Sequence, residues 1–100
     1  SSDLLSLMQG NYAQAVKQFG QTASNSAALA QLLTKDYLTA NATLERIAQP
    51  DALTSYLKAV IAARTGNSEQ ALANLRTAIA KDPALSDLAK TDLEFTKINL

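Results

Sequence analysis

The chain has no cysteine, no histidine and no tryptophan, only two prolines and three glycines, and 5% aromatic residues. Each shortage closes off something. Without thiolate or imidazole there is no disulfide framework and no metal site of the usual nitrogen and sulfur kind, although a cysteine-free domain is at home in oxidising and reducing compartments alike. A serine nucleophile would lack an imidazole base, and no Gly-x-Ser-x-Gly elbow is present. Gly10, Gly20 and Gly66 stand too far apart for a phosphate loop or a dinucleotide fingerprint. The carboxylates Asp3, Asp36, Glu45, Asp51, Glu69, Asp82, Asp87, Asp92 and Glu94 include no pair embedded in an apolar segment, as acid–base work requires, so they read as helix caps and solvated faces. Neither catalysis nor a cofactor or metal is expected. Nine Lys and Arg balance nine Asp and Glu with no basic run, which argues against nucleic-acid binding. Lys58 and Arg64 interrupt the longest apolar stretches, so no membrane insertion is expected.

What is present is alanine, leucine and polar residues in helical register. The 47% hydrophobic content of 100 residues suits one small domain over 1–100 that buries about two-thirds of its surface. The clearest stretch runs from Ala52 to Leu85. Leu53, Leu57, Val60 and Ile61, with Tyr56 beside them, recur at three and four residues, and so do Ala71, Leu72, Leu75, Ala78 and Ile79. Two amphipathic helices result. Gly66 between them suits a left-handed helix end, Asn67 or Ser68 suits the next cap, and Pro83 stops the second helix at or just before Asp82.

The arrangement recurs upstream. A short helix over Asp3 to Gln9, the Gly10-Asn11 turn and a helix with Tyr12, Ala15, Val16 and Phe19 form one copy. A helix from Asn25 to Leu33, the turn at Lys35-Asp36 and a helix from about Leu38 to Ala48 form another, with Lys35 where glycine is usual, at a cost on the order of 1 kcal/mol. The hairpins therefore span about 1–20, 25–48 and 51–82. After Pro83 a more charged segment, 84–98, has Leu85, Leu88 and Ala89 inward and suits a terminal cap. Thr91 followed by Glu94 is a capping-box pattern, so a break in that helix and one bent helix are both open. The expected fold is all-α, with about seven helices and no sheet.

Ala59, Gly66-Asn67, Ala71, Leu75, Ala78 and Pro83 together resemble the tetratricopeptide repeat, a helical hairpin of about 34 residues. Ala28, Ala40, Leu44 and Ile47 hold the matching places in the preceding copy, and Ala15 and Phe19 in the first. Small residues at those places let helix axes approach to about 8–10 Å. Ser55 and Ala62 stand where the family often carries aromatics. The resemblance implies stacked antiparallel hairpins in a right-handed α-solenoid with a C-terminal capping helix.

It also implies a role. Similar repeats hold peptides or partner helices on the concave side lined by their first helices, so the resemblance makes the chain a protein-interaction scaffold that binds a protein or peptide. The partner-binding residues it implies are Asn25, Leu29, Tyr56, Val60 and Arg64. Tyr56 and Arg64 are the expected anchors, because they join apolar area to a polar tip. Asn25 and Arg64 do not complete the family's clamp for a peptide C-terminus. The alternative is a structural spacer or oligomerisation module of a larger protein with no ligand of its own. The chain begins without methionine and reads as a piece of something longer. Leu4, Leu5 and Met8 are expected to give weak homodimers through the N-terminal flank. The alanine, threonine and asparagine texture is similar to repeat segments of bacterial envelope proteins, which favours that compartment slightly over the cytoplasm.

Overall fold

The computed structural model describes residues 24–92 and Phe95. The first hairpin expected from the sequence and the N-terminal flank with Leu4, Leu5 and Met8 lie outside the described residues, as do Leu93, Glu94 and Ile98. Among the described residues the protein is all-α, with five helices and no strand: α1 Asn25–Leu33, α2 Tyr37–Glu45, α3 Ala52–Arg64, α4 Ser68–Lys81 and α5 Leu85–Thr91. They fall into two compact units that part between Ala48 and Gln49.

In the first unit α1 packs on α2. The Ser24 hydroxyl accepts from the Ala27 N–H at 3.1 Å and starts α1 where the sequence places it. Six consecutive residues of α1, Ala27 to Leu32, are buried, so burial runs round the helix and not along one stripe. By contrast α2 buries only Ala40, Thr43 and Leu44, the spacing of a single stripe. It starts one residue earlier than the apolar pattern suggests, because Asp36 caps it by accepting from the Thr39 N–H at 3.3 Å. It also ends three residues earlier. The N–H groups of Arg46 and Ile47 turn to carbonyls three residues back at 3.2 Å, the tightening usual in a last turn, and Pro50 disfavours helix at Gln49.

The second unit holds α3, α4 and α5, with α4 packed on both neighbours. A reciprocal capping box opens α3: Asp51 Oδ1 accepts from the Thr54 N–H at 3.0 Å, and Thr54 Oγ1 accepts from the Asp51 N–H at 3.1 Å. Thr54 to Leu57 and Ala59 to Ala62 are buried, again nearly all round. The partner helix α4 buries Ala71, Leu75 and Ala78, half-buries Leu72 and Ile79 of the expected stripe, and turns Glu69, Arg76 and Lys81 outward. It ends at Lys81 with Asp82 extended at φ −144°, the conformation required before Pro83. In α5 the outcome differs from expectation at Leu88, which is 48% exposed. Leu88 lies about 60° from Leu85 and about 100° from Ala89 round the helix, to one side of the face that half-buries Leu85 and buries Ala89.

Both hairpins close through the same turn. Lys35 and Gly66 have φ of 67° and 81°, the left-handed conformation. The N–H of the next residue reaches back five positions, Asp36 to Gln31 at 2.9 Å and Asn67 to Ala62 at 2.8 Å. The left-handed residue itself reaches back three, Lys35 to Leu32 at 2.9 Å and Gly66 to Ala63 at 3.3 Å, which completes a Schellman closure. Asp36 and Asn67 then cap the following helix with their side chains.

Candidate functional site

The residues singled out for partner binding fall on the two first helices. On α1, Asn25 is half-buried and Leu29, one turn later, is buried. On α3, Tyr56, Val60 and Arg64 follow one another at four-residue intervals and share a side of the helix. Tyr56 is 4% exposed and Val60 6%, while Arg64 at the helix end lies open to solvent. Tyr56 and Arg64, the two expected anchors, thus differ in environment.

Around Tyr56 the arrangement is specific. Its hydroxyl donates to the Asp92 carboxylate, 36 positions along the chain. Its ring meets Phe95 edge to face, with centroids 5.5 Å apart and planes at 82°, the favoured geometry for an aromatic pair. Phe95 is buried. Asp92 adopts an extended conformation at ψ 122°, which ends α5, and its carbonyl accepts from the Phe95 N–H at 3.1 Å. The two side chains, three positions apart in the chain, both meet Tyr56.

Asp92 and Phe95 are the residues that sequence reasoning missed as companions of Tyr56. The signal that bore on them was the Thr91 to Glu94 pattern, which marks a place for the helix to break. The end of α5 at Thr91 is what releases Asp92 toward α3.

Elsewhere in the second unit an open cleft of about 500 Å³ is lined by Asp51, Ala52, Leu53, Lys81 and Asp82. Lys81 Nζ donates to the Pro50 carbonyl at 3.1 Å, and Asp82 Oδ1 accepts from the Ala84 N–H at 3.1 Å. Asp51 belongs to the capping box, so the polar groups of this cleft already bond to backbone. Among the described residues no buried side-chain polar atom lacks a hydrogen-bond partner, and no group of three or more acidic side chains is placed to hold a metal ion. Among the same residues no helix is long and apolar enough to cross a membrane.

No protein-family model, no curated protein and no solved structure matches the chain.

Proposed function

We propose that the chain is a protein-interaction scaffold of tetratricopeptide-like hairpins, with partners engaged by the first helix of a hairpin. The observation that carries this reading is the Tyr56 arrangement. A tyrosine on α3 holds a carboxylate and a ring from a segment beyond the helical hairpin, which is how a first helix would hold a partner segment. The repeat reading draws support from two hairpins that share one turn geometry, one cap and one division of labour. In each the first helix is buried nearly all round and the second along a stripe. Arg64 lies exposed two turns beyond Tyr56, at the end of that face. Asn25 and Leu29 hold the corresponding side of α1.

A photoreactive side chain at position 64 tests the role. In the cells that make the protein it is expected to crosslink a distinct partner, and the same group at position 76 on the outer side of α4 is not. Capture at neither position, or at both alike, removes the reading. A spacer with no ligand of its own is the second reading, favoured by the 4–6% exposure of Leu29, Tyr56 and Val60, which leaves little of that face open.

A further inference from the structure

We infer that the Tyr56 face of α3 is a recognition surface for a partner segment carrying a carboxylate and, three positions later, an aromatic ring, and that Asp92 and Phe95 occupy it in cis as a displaceable plug. The inference rests on the interaction reading above and adds the chemistry of the ligand and its regulation.

The chemistry comes from what already sits there. The Tyr56 hydroxyl donates to a carboxylate, and its buried ring is met by a second ring at 82°. A hydroxyl donating to an ionised acceptor forms one of the stronger kinds of hydrogen bond, and an edge-to-face pair fixes ring orientation. The spacing is read from the contacts: the carboxylate and the ring that meet Tyr56 stand at positions i and i+3.

The plug is displaceable for a physical reason. Asp92 lies past the end of α5, so its release from Tyr56 does not require α5 to unfold. A segment tethered by a short linker acts at an effective concentration on the order of millimolar. A free segment of about 100 μM intrinsic affinity would then be weakened about tenfold by the competition, and removing the plug would restore it.

The test uses a labelled synthetic peptide of residues 88–98, LAKTDLEFTKI, and fluorescence anisotropy on the whole chain. The Asp92→Ala/Phe95→Ala chain is expected to bind the peptide about tenfold more tightly than the unaltered chain. The same peptide with alanine at its Asp and Phe positions is expected to bind neither. Equal affinity of the two chains for the peptide overturns the proposal, and so does equal binding of the two peptides. Should the double variant lose its helical circular dichroism, the Asp92→Asn chain replaces it and must bind at least about threefold more tightly than the unaltered chain; equal affinity overturns the proposal there too. An unaltered chain that is dimeric, and becomes monomeric on Phe95→Ala, makes a second copy the occupant and also overturns it. Loss of peptide binding with the position 64 crosslink intact removes this ligand chemistry alone, whereas loss of both removes the interaction role as well.

Discussion

The contact between α1 and α2 has a polar pair inside it, Thr43 Oγ1 donating to Gln31 Oε1 at 2.7 Å with both residues almost fully buried, whereas every buried residue that α4 turns inward is apolar. The lengths differ as well: nine residues in each helix of the α1–α2 hairpin, thirteen and fourteen in the α3–α4 hairpin. Their turns share geometry but not residue, Lys35 doing in one what Gly66 does in the other. A short hairpin buries less apolar area, and a buried hydrogen bond between its helices adds a directional constraint that apolar contact lacks. A left-handed lysine subtracts from it. The second hairpin relies on area and on small residues at its seam.

The largest effect expected is on that seam. Leu75 is fully buried, and Leu75→Ala should lower stability by about 2–5 kcal/mol through lost burial and the cavity left behind. Ala71→Leu, which adds volume at a site with no exposure, should cost about 1–3 kcal/mol. Denaturant unfolding of both variants measures this, and an unchanged midpoint for Ala71→Leu would show that the seam has room.

The polar pair gives the next effect. Gln31→Leu deprives the buried Thr43 hydroxyl of its acceptor and should cost about 1–3 kcal/mol, whereas Gln31→Leu with Thr43→Val removes both partners and should recover most of that loss. A double-mutant cycle by thermal melting reads the coupling directly, and additive losses would mean that the bond contributes nothing beyond its shape. Similar treatment has no counterpart on α4.

The turns give the smallest and most symmetrical pair. A Cβ at Gly66 would meet no atom within 4 Å, so the cost of Gly66→Ala is backbone strain at φ 81° alone, about 1 kcal/mol. Lys35→Gly relieves the same strain and should raise stability by up to about 1 kcal/mol, less the entropy that glycine adds to the unfolded chain. Equal melting midpoints for Lys35→Gly and the unaltered chain would show that the entropy term cancels the relief.

Helix positions were legible in the sequence wherever the signal is local. Asn67 after Gly66 and Pro83 after Asp82 act within one turn of themselves, and three- and four-residue apolar spacing sets the inward stripe of α4. Lys35 could be placed in the left-handed turn because it stands between two such patterns. The ends of α2 were less legible, since Asp36 and the tightened turn at Arg46 and Ile47 act on backbone groups while the apolar pattern runs on.

For the candidate site the sequence determined that Tyr56, Val60 and Arg64 share one side of α3, because helical geometry fixes that from spacing alone. Tertiary structure decided that Tyr56 is buried, that Arg64 is exposed, and that Asp92 and Phe95 are the groups that meet the tyrosine. It also decided that α1 and α3 are buried nearly all round while α2 and α4 keep an outer face. The reason is range: caps and periodicity are settled by neighbours a few residues away, whereas the cover over a helix face depends on where the chain returns. At Tyr56 that return comes from a residue 36 positions later, after a helix end that no local pattern aims at α3.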